Sequence, residues 1–147
     1  MSRADLTTIM PNQLYQRGRF LTWPASQKWA MLDRYKIDTV VNMWSKVDPD
    51  LSSERHGTLY LNWHTSPSEV PLGADRMIGF LSGLLSDGHV MLVHCEAGHG
   101  RSVWLCAALL VRHWHVAPRT AFELLDTIVP GMDVRPELLT HLEGMTP

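Results

Sequence analysis

Cys95 and Arg101 stand six positions apart, with Glu96-Ala97-Gly98-His99-Gly100 between them and Ser102 directly after. An ionised thiol is a nucleophile, and a guanidinium is a planar fork matched to two oxygens of a phosphate or sulfate. Glycines at 98 and 100 let the intervening backbone curl until successive N–H groups converge, which makes a concave anion nest. A helix opening at Arg101 adds its free N–H groups and the positive end of its dipole. The same field favours a thiolate at the base of the nest, so Cys95 is expected to be nucleophilic at neutral pH. His99 lies inside the nest and is expected to face the substrate or the pocket mouth. The chemistry this set suits is attack on a bound tetrahedral oxyanion.

The flanking sequence predicts the elements that position these residues. His89–Cys95 carries four consecutive apolar residues and reads as a strand buried on both faces. Arg101–His115 reads as a long apolar helix, and further helices are predicted over Pro118–Val129 and from Pro136. Upstream, helical stretches cover Ala25–Tyr35 and Leu72–Ser86, the second stopped by Asp87-Gly88. Asp38–Trp44 and Thr58–Trp63 are strand candidates. Strands alternating with helices imply an α/β fold: one central, mainly parallel sheet of about four to five strands with helices on both faces. Ligands of such sheets lie beyond the carboxyl ends of the strands, where the Cys95 loop falls.

Composition bounds the rest. A chain of 147 residues is expected to form one domain over 1–147. A hydrophobic fraction of 45% and a formal charge of −2 argue against disorder and against a general polyanion-binding surface, so no nucleic-acid partner is expected. No apolar run is long enough to span a bilayer, and the N-terminus does not read as a signal peptide. Two cysteines are too few for a disulfide scaffold, and a cytoplasmic, monomeric protein is the expectation. Cys106 falls on the apolar side of its helix and reads as core. The eight histidines are not spaced as metal ligands, so neither metal nor other cofactor is expected.

The run from His94 to Ser102 resembles the signature of the cysteine-dependent protein tyrosine phosphatase superfamily, particularly its small dual-specificity branch. Met10–Gly18 is similar to that family's opening strand, Ile37–Trp44 to its second strand, and the segment from Pro118 to the helix that follows the phosphate loop's helix. The resemblance implies that Cys95 attacks phosphorus and becomes a cysteinyl phosphate. It implies that Arg101 and the backbone of Glu96, Ala97, Gly98, His99 and Gly100 hold the equatorial oxygens. Ser102 would hydrogen-bond the sulfur, and His94 would orient the loop and help keep Cys95 ionised.

One family part is absent. An aspartate about thirty residues before the cysteine usually protonates the leaving oxygen, and here that stretch reads Asn62-Trp63-His64-Thr65-Ser66-Pro67-Ser68-Glu69. His64, 31 positions before Cys95, takes the expected place, and an imidazolium can donate the proton. Asp48 ranks second and Glu69 third. Trp63 is the candidate aromatic wall for a phosphoaryl group. The expected activity is hydrolysis of phosphate monoesters on a phosphorylated protein. The alternatives are an inositol-phosphate or other small phosphomonoester substrate, and a catalytically weak phosphate-binding module.

Overall fold

A computed structural model describes residues 6–52, 57–66, 69–98, 100–129 and 131–146. Its centre is a five-stranded sheet: β1 (Thr7–Met10), β2 (Leu14–Arg17), β3 (Thr39–Asn42), β4 (Leu59–Asn62) and β5 (Met91–His94), in the order β1-β2-β5-β3-β4. Four strands run parallel, and only the β1–β2 edge is antiparallel. The mainly parallel α/β architecture expected from the sequence is therefore present. Six helices accompany it among the described residues: α1 (Ala25–Arg34), α2 (Pro49–Ser52), α3 (Ala74–Ser86), α4 (Arg101–Trp114), α5 (Pro118–Ile128) and α6 (Pro136–Glu143). No helix among the described residues is long and apolar enough to cross a membrane.

Alternation along β5 divides the core. Met91 and Val93 face α3, α4, α5 and α6, while Leu92 faces the smaller cluster of Phe20, Met31, Leu32 and Leu51, contributed by α1, α2 and the loop before α1. Helix α4 runs through the larger layer with every residue from Ser102 to Val111 buried. It has no side-chain hydrogen bond at its N-cap, Gly100. A missing cap costs about 1 kcal/mol, whereas burying one Leu or Val contributes roughly 1.5–3 kcal/mol, so packing decides that the helix forms. The uncapped N-terminus then stays available for another purpose.

Two local expectations change. Met10–Gly18 is not one strand: Asn12 adopts φ 64, Gln13 N–H donates to Met10 O at 3.0 Å, and the chain reverses between β1 and β2. Asn tolerates that left-handed conformation, which is why Pro-Asn-Gln turns here. The central strand is also shorter than His89–Cys95, since His89 precedes it and stands 3.3 Å from Asp38.

Candidate active site

The four parallel strands deliver their carboxyl ends to one edge. There β2 leads to Gly18 and Arg19, β3 to Met43, β4 to His64 and Thr65, and β5 to Cys95. The Cys95 loop is docked on the segment after β2. Arg19 N–H donates to Glu96 O at 2.8 Å, and Gln16 Nε2 donates to Gly98 O at 2.7 Å. With planar trans peptides, a Glu96 carbonyl directed backward turns the Ala97 N–H the opposite way, toward the concave side. Gly98 has φ +81, and a Cβ there would come within 2.6 Å of Gly18 N. A Cβ on Gly100 would meet Asp133 O at 2.9 Å. Both glycines are required by close backbone approach, and Gly98 also by its conformation.

Cys95 is 2% exposed at the base of this loop, and its Sγ lies 3.1 Å from Ser102 Oγ. Ser102, fully buried in the first turn of α4, also accepts from Gln16 Nε2 at 2.8 Å. No acidic side chain occupies the first turn of α4, so its dipole meets the loop uncompensated. Arg101 Nη1 donates to Thr65 O at 2.9 Å and to Met43 O at 3.3 Å. The fork is thus seated between the ends of β3 and β4 before any anion arrives. Glu96 is exposed and pairs with Arg19 at 3.4 Å. The expectation for His99 lies outside the described residues.

His64 is exposed and lines a cavity of about 340 Å³ with Trp63, Thr65, Ser66, Glu69 and Val70. Its neighbour Thr65 carries the carbonyl that holds Arg101, so His64 and Arg101 share one edge of the site. Glu69 lines the same cavity, and half-buried Trp63 stands 6.2 Å from the Trp104 ring. Asp48 is elsewhere and already engaged. It is 4% exposed, its carboxylate lies 2.9 Å from Lys28 Nζ, and it accepts the N–H groups of Asp50 and Leu51 at 2.9 and 3.2 Å. With its carboxylate committed to a buried ammonium and a helix start, Asp48 leaves the set of candidate acids. Burial alone would lower the pKa of Lys28, but hydrogen bonds and charge from Asp50 and Asp48 raise it overall, which keeps this ammonium charged.

His94 requires a second correction. It is 4% exposed, its ring packs 4.9 Å from Phe20, and burial drops its pKa from 6.5 to about 4 against smaller opposing contributions from the Cys95 backbone and the Asp48 charge. A neutral imidazole at physiological pH gives Cys95 no positive charge. The groups placed at Cys95 Sγ are instead Ser102 Oγ, the loop and the start of α4. Cys106 is fully buried in α4, and burial pushes its thiol pKa up, so it is core as expected. No three His, Cys, Asp or Glu side chains gather as a metal would need among the described residues.

Sequence reasoning did not single out Gln16, Arg19, or the carbonyls of Met43 and Thr65. Only Gln16 left a trace, as a polar residue beside Leu14 and Tyr15 in a strand with no exposed position.

Comparison with known proteins agrees with this geometry. Residues 20–144 match the family model of the dual specificity phosphatase catalytic domain. The rat dual specificity protein phosphatase 12 is 38% identical over 56 residues, 38% of this chain and 16% of that protein. The mouse protein of the same name is 33% identical over 60 residues, 41% of this chain and 18% of the relative. The chain therefore spans less than a fifth of the length of the curated relatives it matches. A mouse putative dual specificity phosphatase solved with zinc tungstate superposes with a TM-score of 0.77 at 22% identity, covering 97% of this chain and 86% of that one. Human DUSP28 gives a TM-score of 0.72 at 20% identity, covering 94% and 90%. These two likenesses show the fold. The chain belongs to the dual specificity phosphatase catalytic-domain family, a class of cysteine-dependent phosphatases.

Proposed function

We propose that this chain hydrolyses phosphate monoesters through a phosphocysteine intermediate, acting on phosphorylated proteins. The thiolate of Cys95 attacks phosphorus, and the bond from phosphorus to the substrate oxygen breaks. Arg101 and the loop N–H groups stabilise the charge on the equatorial oxygens. His64 gives its proton to the departing oxygen. Water then attacks phosphorus, giving a proton back to His64, the P–S bond breaks, and inorganic phosphate and the thiolate are released. One molecule of water is consumed for each ester cleaved, with no change of oxidation state.

The observation that carries this reading is the convergence of Cys95 Sγ, Ser102 Oγ at 3.1 Å and the uncapped start of α4, beside an Arg101 fork held by two backbone carbonyls. A protein substrate is favoured over a polyphosphorylated small molecule by Glu96, which puts a carboxylate at the loop with Arg19 as its partner. Both cysteines are free, consistent with a reducing compartment such as the cytoplasm.

The test is para-nitrophenyl phosphate hydrolysis without added metal, followed by phosphopeptides and inositol phosphates at equal concentration. Turnover by the wild type that vanishes in Cys95→Ser, with phosphopeptides preferred, is the expected result. Turnover that survives Cys95→Ser would sink the mechanism. A preference for inositol phosphates would overturn the substrate class alone. Saturable phosphopeptide binding without turnover would identify a binding module.

A further inference from the structure

Gln16 is 1% exposed, on a strand ahead of the span matched by the family model. Its amide orientation is settled by its partners: Gly98 O can only accept, so the nitrogen must face it. Both contacts of that nitrogen lie in the phosphate loop and its helix, at 2.7 Å to Gly98 O and 2.8 Å to Ser102 Oγ. Ser102 has one hydroxyl proton. The oxygen receives a proton from Gln16. The carbonyl four residues back, the usual competing acceptor for a serine in a first helical turn, is Gly98 O, which accepts from Gln16 Nε2, and no bond from Ser102 Oγ to it is formed among the described residues. Among the described residues, the remaining neighbour at hydrogen-bond distance is Cys95 Sγ, 3.1 Å away, which as the thiolate of the proposed mechanism can only accept.

We propose that Gln16 is a positioning residue that sets the direction of the Ser102 hydroxyl and turns its proton onto Cys95 Sγ. The proposal rests on the phosphocysteine reading and adds to it the residue that orients the leaving-group stabiliser. Its effect differs between the two chemical steps. In the first step the thiolate is the nucleophile, and a hydrogen bond to it stabilises the starting state as well as the sulfur in flight. In the second step the sulfur departs from phosphorus and gains charge, so the bond strengthens along the reaction and lowers the barrier. Losing the orientation therefore slows phosphoenzyme hydrolysis more than phosphoenzyme formation.

The experiment is stopped-flow para-nitrophenyl phosphate hydrolysis by the full chain as wild type, Gln16→Leu, Ser102→Ala and the double variant, with Cys95→Ser as control. Losing a hydrogen bond to a charged group predicts a kcat about ten- to a hundredfold lower in Gln16→Leu. KM should fall alongside it, leaving kcat/KM within about threefold and exposing a nitrophenolate burst stoichiometric with enzyme. The double variant should be no slower than Ser102→Ala, because Gln16 acts through that hydroxyl. If Gln16→Leu does not fold, Gln16→Glu keeps the length and, when ionised, offers acceptors where donors stood, so the same burst is expected. A fall in kcat/KM without a burst, or losses that multiply in the double variant, would reduce Gln16 to support for Gly98 and overturn the proposal. Wild-type turnover that does not depend on Cys95 would overturn the phosphocysteine reading and this inference together, which separates the two failures.

Discussion

The phosphate loop and the segment from Trp63 to Leu72 both border the candidate site, yet they are built on opposite terms. The loop is supported from behind at Glu96 O and Gly98 O, meets Gly18 backbone to backbone, and closes against Asp133 O at Gly100. The second segment is pinned at Thr65, whose N–H donates to Met43 O at 3.3 Å, and beyond it Leu72 is 99% exposed. In the proposed mechanism the contrast follows from what each must do. Stabilising charge on a transferring phosphoryl group needs donors fixed in advance, because reorganising them would consume the energy they supply. A proton donor needs only to reach the leaving oxygen, and a segment around an open cavity leaves room for different leaving groups. The two regions meet at Arg101, which belongs to the loop and holds the carbonyl of Thr65.

Replacing Arg101 by Lys breaks both regions at once and should have the largest effect. An ammonium keeps the charge but cannot span two oxygens while still holding Met43 O and Thr65 O. We expect kcat/KM for para-nitrophenyl phosphate to fall about a thousandfold, the scale of losing an oxyanion donor. Retention of activity within a few-fold would show that the fork and its two carbonyl contacts are dispensable.

Acid should loosen the loop's support through His94. The folded-state pKa of His94 is about 4, below the ordinary 6.5, so the unfolded chain binds more protons between these values. The stability His94 contributes is fully present above pH 6.5 and is lost as pH falls toward 4, up to about 3 kcal/mol. Thermal melting of wild type and His94→Asn at pH 7 and pH 4.5 checks this: the wild type should lose more. Equal losses would remove His94 from the account.

Sharpening the comparison on the other side, His64→Ala should spare the loop and weaken only leaving-group protonation. With para-nitrophenyl phosphate, whose leaving group needs little help, activity should change less than about threefold. With phosphoserine peptides the loss should reach about a hundredfold, as for removal of a general acid. Equal losses on both substrates, or none, would pass the role to Glu69, which lines the same cavity.

Local chemistry explains what could be read before folding. Glycines at 98 and 100 between a buried strand and an apolar helix specify a nest by their own conformational freedom, and Cys95 and Arg101 occupy its two ends within a single short stretch. Helix α1, helices α3 to α6 and strands β3, β4 and β5 follow from apolar periodicity and from Asp87-Gly88, Pro118 and Pro136 as stops and starts. The β1–β2 reversal was less legible because an isolated Pro-Asn-Gln fits a strand edge as well as a turn. Asp48 looked available because burial by Lys28, twenty positions away and across a helix, leaves no mark on its neighbours in the chain.

The sequence by itself determined the Cys95 loop, the Arg101 fork at its end and the strands and helices of the α/β frame, because each depends on residues close together in the chain. Tertiary structure decided that His94 is neutral, that Asp48 is spent on Lys28, and that Arg101 is seated on Met43 and Thr65. It also brought Gln16 to Ser102 across 86 positions. Burial, and the pairing it forces on polar groups, depends on which elements the sheet brings together, and no single stretch of chain carries that information.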